Sequence, residues 1–200
     1  MRPVRRGLGI LGGTFDPPHI GHLAAAVEVY SALHLERVVL MVANDPWQKS
    51  GSRTLSPPQV RLSMTQRAAE GLEGIVVSDL EIVRGGPTYS VDTLMALRDA
   101  EPDQQLFLIV GADAAAALET WHRHDELARL ATLVIVDRAG ERETIPPLGW
   151  DVVRVAVPRL DISSSELRER AQSGGSLEPY VVPAVMNEIR TAGLYGFTDS

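Results

Sequence analysis

The residues best suited to chemistry lie in one short turn, which reads Gly-Gly-Thr-Phe-Asp-Pro-Pro-His-Ile-Gly-His at positions 12–22. Its two leading glycines have no Cβ, so a ligand can approach the backbone closely. Its two prolines restrict the backbone and stiffen the turn. His19 and His22 then stand at the entrance of a predicted helix, where free N–H groups and the helix dipole favour an anion. Imidazoles there can donate hydrogen bonds and take up positive charge as negative charge develops, so the turn predicts a phosphate-binding site.

Two other interpretations of the same histidines are a zinc site and an incidental surface loop. A zinc site needs a third ligand. No companion carboxylate at metal-site spacing accompanies a strand end near His34, His122 or His124. A lone His-x-x-His pair is also a short motif with a high false-positive rate. We therefore expect no metal ion held by protein ligands.

A second anion-binding pattern is Ile-Ser-Ser-Ser-Glu-Leu-Arg at positions 162–168. Ser163 and Glu166 predict a capping box at the start of an amphipathic helix. The amides of a first helical turn, with serine hydroxyls and an arginine fork beside them, can hold phosphate. The residues that would do so are Ser164, Ser165 and Arg168. Because two such helix starts occur in one chain, we expect a polyphosphate to span both.

The elements that must position these motifs alternate along the chain. Continuous apolar runs predict strands at 7–11, 37–43, 75–78, 105–110, 132–136 and 152–157. Helical spacing or capping signals predict helices at 21–35, 56–71, 90–100, 112–120, 125–130, 164–172 and 179–192. Apolar strands separated by helices indicate a parallel sheet covered on both faces. We predict an α/β fold, a Rossmann-like doubly wound parallel sheet flanked by helices, in one domain over residues 1–200, with the second motif on C-terminal helices at about 164–192.

In such folds ligands bind at the carboxyl ends of the strands. The segments to inspect are therefore those after each strand, among them 44–49, 85–90 and 111–113, in addition to the two motifs. Residues 44–55 and 138–149 are predicted to be exposed loops, and Arg138 could face the site.

Composition limits the partners of the chain. It has 200 residues, 44% of them hydrophobic, and a formal net charge of −7. No global field therefore attracts nucleic acid or an anionic membrane surface. The absence of cysteine excludes disulfides and thiolate chemistry. Apolar runs are too short for a signal peptide or a membrane span, so we expect a cytoplasmic protein, as either a monomer or a homo-oligomer.

Together, Gly-x-Phe-Asp-Pro-x-His-x-Gly-His and Ile-Ser-Ser-x-x-x-Arg resemble the nucleotidyltransferase superfamily with the His-x-Gly-His signature. In that superfamily the histidines contact the α-phosphate of a nucleoside triphosphate, and the serine-arginine motif holds the β- and γ-phosphates. The resemblance implies catalytic roles for His19 and His22. It implies a set of ATP-binding residues, namely Gly12, Gly13, Thr14, Phe15, Gly111, Asp113, Ser164, Ser165 and Arg168.

The middle of the chain resembles bacterial nicotinate-nucleotide adenylyltransferases, in the stretches 85–94, 111–121 and 46–49, and the likeness runs from about Leu8 to Tyr195. It implies that Trp121 stacks on the pyridine ring, for which a planar aromatic is suited. Thr88 would hold the nicotinate carboxylate with neighbouring amides, and Asp113 would meet the ATP ribose. The remaining substrate-binding residues implied are Tyr89 and Lys49, the latter reaching a phosphate.

Each of these residues also has a purely structural interpretation. Trp121 could pack between helices, and Thr88 with Tyr89 could cap the helix that begins near Ser90. Lys49 could simply be solvated. The loop 42–49 departs from the usual family pattern, because Asp45 adds a negative charge close to an expected phosphate.

The resemblance implies in-line attack by the 5′-phosphate of nicotinate mononucleotide on the α-phosphorus of ATP, giving deamido-NAD and pyrophosphate. Mg²⁺ is expected on the triphosphate, held mainly by phosphate oxygens and water. Two alternatives are another phosphate acceptor, either nicotinamide mononucleotide or phosphopantetheine, and a catalytically silent nucleotide-binding sensor. A zinc hydrolase using His19 and His22 is a third.

Overall fold

The first strand of the chain lies at the centre of a parallel sheet in the computed structural model, which describes residues 7–46, 55–138 and 148–197. The strands are β1 (Gly7–Gly13), β2 (Arg37–Val42), β3 (Asp45–Pro46), β4 (Ile75–Ser78), β5 (Pro87–Thr88), β6 (Gln105–Gly111), β7 (Thr132–Arg138) and β8 (Val152–Val157). Six of them form the main sheet in the order β4-β2-β1-β6-β7-β8, all parallel.

The helices cover both faces of this sheet. They are α1 (Ile20–Leu33), α2 (Pro58–Ala69), α3 (Leu80–Arg84), α4 (Ser90–Ala100), α5 (Ala112–Ala116), α6 (His124–Leu130), α7 (Ser164–Gln172) and α8 (Pro183–Thr191). Two single 3₁₀ turns occur at Leu118–Thr120 and Leu194–Gly196. The predicted α/β doubly wound fold is confirmed.

Strand β2 shows why the central strands are continuously apolar. Val38, Leu40 and Val42 belong to a core cluster with residues of α1, α2, α7 and α8. The alternate residues, Val39 and Met41, belong to a second cluster on the opposite face, with residues of α4 and α6. Successive strand side chains point to opposite faces, so a strand that is buried on both faces needs apolar residues at every position.

The register places three strand ends together. Gly13 of β1 pairs with Val42 of β2, and Leu11 of β1 pairs with Ile109 of β6. The turns that follow these strands therefore leave the same edge of the sheet side by side. A separate two-stranded pairing joins β3 to β5 just beyond that edge, with Pro46 opposite Thr88.

Several helix bounds differ from those expected. The predicted helix 112–120 is divided into α5 and the 3₁₀ turn at Leu118–Thr120. The predicted helix 179–192 begins only at Pro183, because proline suits the first helical position. The predicted helix 56–71 begins only at Pro58: Pro57 is the N-cap of α2, and the Ser56 amide donates to Asp16 Oδ2 at 3.1 Å.

Helix α3 and the β3–β5 pairing were not predicted, since each is too short to show a periodic pattern. Within the described ranges, no helix is both long and apolar enough to cross a membrane.

Candidate active site

The two glycines of the first turn, Gly12 and Gly13, differ in what a side chain at each position would contact. A Cβ on Gly12 would meet no atom within 4 Å, so its backbone faces open space. A Cβ on Gly13 would lie 2.8 Å from the Phe15 ring. Phe15 itself has a φ of 51° and is buried. Gly12 therefore leaves room for a ligand, whereas Gly13 leaves room for Phe15.

His19 and His22 form a stacked pair at the start of α1. His19 is the N-cap residue, and its backbone N–H donates to His22 Nδ1 at 3.2 Å. Because a backbone N–H can only donate, Nδ1 must accept, and the proton of a neutral His22 ring lies on Nε2. The two rings stack with centroids 3.7 Å apart, and the Phe15 ring meets His22 edge-on at 4.9 Å. The local fold thus sets both the orientation and the tautomer of His22.

A cavity of about 640 Å³, called here the larger cavity, opens between the first turn, the start of α1, the end of β6 and the start of α7. Most residues predicted to bind ATP or catalyse line it. They are Thr14, His19, His22, Gly111, Asp113, Ser164, Ser165 and Arg168. The two anion-binding motifs therefore do meet, as their order at strand ends predicted.

Direct hydrogen bonds join the two motifs. Arg168 Nη1 donates to the carbonyl oxygen of Asp16 at 2.5 Å, and Arg168 Nη2 donates to Ser165 Oγ at 3.3 Å. Ser164 Oγ donates to the Pro17 carbonyl at 2.9 Å. These contacts hold the N-terminus of α7 against the first turn, so the guanidinium stands at the edge of the larger cavity with its direction set.

The predicted Ser163 cap at the start of α7 is confirmed, whereas the reciprocal bond of a capping box, from the Ser163 amide to Glu166, is replaced by one from the Ser163 hydroxyl. Ser163 Oγ accepts the Glu166 amide at 3.2 Å and donates to Glu166 Oε2 at 2.8 Å. The cap uses Ser163, which leaves the next two serines to face the larger cavity.

A second cavity of about 370 Å³, the smaller cavity, is also lined by His22. Its walls are mainly apolar and include Ala43, Leu108, Ala114 and Trp121. Gly12, Gly13, Thr88 and Glu81 also line it. Five residues line both cavities, namely Leu11, Thr14, His22, Gly111 and Ala114.

Thr88 and Trp121 present donors in or near the smaller cavity. Thr88 Oγ1 accepts the amides of Asn44 at 3.0 Å and Asp45 at 3.3 Å, so its hydroxyl hydrogen can be donated elsewhere. Trp121 Nε1 is buried and has no hydrogen-bond partner in the described part of the chain. A buried unpaired donor costs free energy, which gives the indole a reason to turn towards an acceptor.

Other predicted site residues lie elsewhere. Phe15 is buried in the core and lines neither cavity. Tyr89 lines neither cavity, is the N-cap residue of α4, and its ring lies 4.3 Å from that of the exposed His122. Asp45 is exposed and also lines neither cavity, so it does not place its charge in the site. Lys49, with the Arg138 side chain, falls outside the described residues.

Sequence reasoning missed two buried charged residues, Arg61 and Glu81. Arg61 donates hydrogen bonds to four backbone carbonyls around the first two turns. Glu81 lines the smaller cavity and accepts a hydrogen bond from Thr93 Oγ1 at 2.6 Å. One signal was available for Arg61: it shares the apolar face of α2 with Met64 and Ala68, at helical spacing.

Burial changes the acid–base properties of three groups. Burial raises the pKa of the Glu81 carboxyl, although the Thr93 hydrogen bond and the charge of Arg84 oppose the shift. Burial, together with the negative charge of Asp16, raises the pKa of the Tyr195 hydroxyl, which donates to Asp16 Oδ1 at 2.5 Å. Burial lowers the pKa of Arg61, and Asp16 partly compensates.

No group of three or more His, Asp or Glu side chains that could hold a metal ion occurs within the described ranges. Among these residues, His19 and His22 therefore lack the third ligand that a zinc site needs.

Comparison with known proteins gives consistent matches. The model of the cytidylyltransferase-like family matches residues 10–170. A probable nicotinate-nucleotide adenylyltransferase of Corynebacterium kroppenstedtii is 44% identical over 191 residues, which cover 94% of this chain and 90% of that protein. A protein of the same name from Dehalococcoides mccartyi is 39% identical over 196 residues, 94% of this chain and 96% of its own.

Solved structures share the fold. Plasmodium falciparum nicotinic acid mononucleotide adenylyltransferase complexed with NaAD superposes with a TM-score of 0.79 at 17% identity, covering 97% of this chain and 99% of that one. A structure of the same protein complexed with APC gives a TM-score of 0.78, also at 17% identity.

Proposed function

The chain belongs to the nicotinate-nucleotide adenylyltransferases of the cytidylyltransferase-like family, and on that premise we propose that it transfers the adenylyl group of ATP to nicotinate mononucleotide. The products are deamido-NAD and pyrophosphate, in NAD biosynthesis. One observation carries the proposal: His22 and Thr14 line both cavities. A phosphate held in one cavity can therefore meet a phosphate held in the other at the His22 ring.

The larger cavity suits ATP. Two helix starts face it, and each presents backbone N–H groups and a dipole that favour an anion. Arg168 adds a positively charged fork beside Ser164 and Ser165, where the β- and γ-phosphates would lie. The α-phosphate would then lie at the histidine pair, and the ribose would lie near Gly111 and Asp113. These assignments rest on the shared position of the residues around one cavity.

The smaller cavity suits a pyridine mononucleotide. Apolar walls and the Trp121 indole match a flat aromatic ring. The Thr88 hydroxyl hydrogen points to an acceptor on the ligand, and a carboxylate presents only acceptors. A carboxamide has a single acceptor oxygen, and its NH₂ group would compete for the same place. The Thr88 hydroxyl therefore favours nicotinate mononucleotide over nicotinamide mononucleotide.

The reaction needs no covalent enzyme intermediate. An oxygen of the mononucleotide 5′-phosphate forms a bond to the α-phosphorus of ATP. The bond from that phosphorus to the oxygen bridging to the β-phosphate breaks, and pyrophosphate leaves with the electron pair. His22, with its proton on Nε2, donates a hydrogen bond as negative charge develops. Catalysis then comes from the position of the two phosphates and from charge stabilisation.

Mg²⁺ belongs to the same proposal. No carboxylate cluster in the described residues could hold the ion unaided, so it would enter on the triphosphate with phosphate oxygens and water as ligands. Bound there, it would neutralise part of the phosphate charge. We likewise propose a cytoplasmic location, because the proposed reaction consumes ATP.

The test measures pyrophosphate release from ATP and Mg²⁺ with three acceptors: nicotinate mononucleotide, nicotinamide mononucleotide and phosphopantetheine. We expect the fastest release with nicotinate mononucleotide and the formation of deamido-NAD. Faster turnover of either other acceptor would replace the proposed substrate. No release with any acceptor would reject the transferase and favour a silent nucleotide-binding protein.

A further inference from the structure

Arg61 is among the largest fully buried side chains of the protein, with 1% of its surface exposed. Its Nη1 donates to the carbonyls of Thr14 at 2.9 Å and Ala43 at 2.7 Å. Its Nη2 donates to the Asn44 carbonyl at 2.9 Å, and its Nε to the Ser56 carbonyl at 2.9 Å. All four acceptors are backbone atoms, so the side chain holds the path of the chain itself.

Two of these carbonyls, those of Thr14 and Ala43, belong to residues that line the site. Thr14 follows β1 and lines both cavities, and Ala43 follows β2 and lines the smaller one. Asn44 extends the connection, because its Nδ2 donates to the Gly86 carbonyl at 2.9 Å and its amide donates to Thr88 Oγ1. A single guanidinium therefore connects the first turn to the second directly, and to the turn carrying Thr88 through Asn44.

Stability alone does not explain why a charged side chain is buried at position 61. Burying a charge costs several kcal/mol before its hydrogen bonds are counted, and an apolar side chain of similar volume often stabilises a protein as well. What an apolar side chain cannot supply is a rigid planar fork that sets the directions of several acceptors at once. The arrangement thus points to geometry as its purpose.

We propose that Arg61 is a positioning residue that sets the distance between the two substrates. Arg61 lines neither cavity. It acts on the carbonyls of Thr14, Ala43 and Asn44, and so on the relative position of the cavity walls. The inference rests on the proposed transfer reaction, in which two phosphates from different cavities must meet in line.

This role has a kinetic signature that a purely structural role lacks. Each cavity keeps its own binding groups when the arginine is changed, so the affinity for each substrate changes little. The alignment of the two phosphates is lost, and a misplacement of 1 Å can cost about 100-fold in rate. We expect Arg61→Lys to lower kcat by about 10- to 100-fold, with each KM changed by less than about threefold.

The experiment compares Arg61→Lys and Arg61→Met with matched changes at Arg67. Arg67 lies on the same helix but is exposed, and its Nε donates to Glu188 at 2.7 Å. Arg67→Lys and Arg67→Met should keep the wild-type kcat. Steady-state kinetics with each substrate varied in turn are measured well below the melting temperature of each variant. A wild-type kcat for folded Arg61→Lys, or a fall in Tm with no fall in kcat, would overturn the proposal.

A second measurement needs no turnover and separates this inference from the proposed function. Amide hydrogen exchange of residues 12–16 and 43–46 should be faster in Arg61→Lys than in wild type, and unchanged in Arg67→Lys. Unchanged exchange in both segments would reject the connecting role even if the wild-type chain proved to be no transferase. If Arg61→Met does not fold, Asn44→Ala replaces it, since this side chain is only half-buried. That variant weakens the link to the turn carrying Thr88, so it should lower kcat more than it changes either KM. A changed KM with an unchanged kcat would contradict the proposal.

Discussion

His22 lines both the larger and the smaller cavity, but the other groups that line the two cavities differ in their chemistry. The larger cavity uses helix starts, hydroxyls and a guanidinium, and the Ser164 hydroxyl and the Arg168 guanidinium are each held by a hydrogen bond to a distant part of the chain. The smaller cavity uses apolar walls and few polar atoms. In the proposed reaction the first would hold the triphosphate of ATP, and the second would select the acceptor. On this proposal, reaction type and substrate identity depend on two different cavities that share His22.

The shared ring gives the largest expected effect. His22→Ala should lower kcat by roughly 100- to 1,000-fold, as does the loss of a preorganised donor to developing charge. The fall in kcat should appear whichever substrate is varied, since His22 lines both cavities. Pyrophosphate release measures this effect. His34→Asn is the matched control, because His34 is exposed and asparagine tolerates its left-handed backbone. A nearly unchanged kcat for His22→Ala would remove His22 from catalysis.

Arg168 tests the larger cavity alone. Arg168→Ala should raise the KM for ATP by about 10- to 100-fold, because a charge-assisted hydrogen bond contributes about 1.5–3 kcal/mol. The KM for the mononucleotide should change little. Arg170→Ala, two residues along α7, is the control, since Arg170 bonds the Ser176 carbonyl on the surface. Equal effects on both KM values would show that the cavities are not separate.

Trp121 tests the smaller cavity alone. Trp121→Leu should raise the KM for nicotinate mononucleotide by about tenfold, since ring stacking adds about 0.5–1.5 kcal/mol beyond buried area. Trp121→Phe keeps a ring and should show a smaller increase. The KM for ATP, measured in the same assays, should stay constant in both variants. A rise confined to ATP would place the indole in the wrong cavity.

Thr88 sharpens the acid-over-amide argument with a smaller effect. Thr88→Val removes the hydroxyl and should raise the KM for nicotinate mononucleotide by about three- to tenfold, the range of a neutral hydrogen bond. Thr88→Ser keeps the hydroxyl and should stay close to wild type. The KM ratio of acid to amide mononucleotide is the measurement. An unchanged ratio in Thr88→Val would show that the hydroxyl does not discriminate.

Glu81 gives the smallest effect, which appears in stability rather than turnover. Its folded pKa is raised above the ordinary 4.5, so the folded state disfavours ionisation. The stability that protonated Glu81 contributes is complete below pH 4.5 and is lost as the pH rises through the folded pKa. The free energy of unfolding of wild type relative to Glu81→Gln should therefore fall as the pH increases. Urea unfolding from about pH 4 to about pH 8 tests this, and a difference independent of pH would contradict the shift.

The same contrast explains how much the sequence alone could predict. The groups of the larger cavity are encoded locally, because a helix start needs only a few consecutive residues and strand ends follow apolar runs. The six strands, the Ser163 cap of α7 and the meeting of the two motifs could be derived in this way. The start of α2 could not, since the contact of the Ser56 amide with Asp16 comes from outside the local pattern, whereas Pro183 at the first helical position is a local signal for the start of α8.

The smaller cavity is harder to predict because distant segments assemble it. Tyr89 and Phe15 lie next to site residues in the chain, yet one packs against His122 and the other enters the core. Arg61 shows the limit most clearly. Its partners are backbone carbonyls, and every residue type has one, so no pattern of side chains in the sequence predicts these hydrogen bonds. Glu81 is similar, since its partner Thr93 lies on another helix.

The central place of β1 in the sheet has a consequence for how the protein is made. Its neighbours are β2 and β6, and the Arg168 that meets the Asp16 carbonyl is 152 residues away in the chain. At ribosomal rates of about 5–20 residues per second, the first turn emerges roughly 8 to 30 seconds before that arginine. Until β6 is made, in the second half of that interval, the apolar first strand has only β2 beside it. The first turn is thus made long before the arginine that it contacts, and the larger cavity cannot form until α7 has been synthesised.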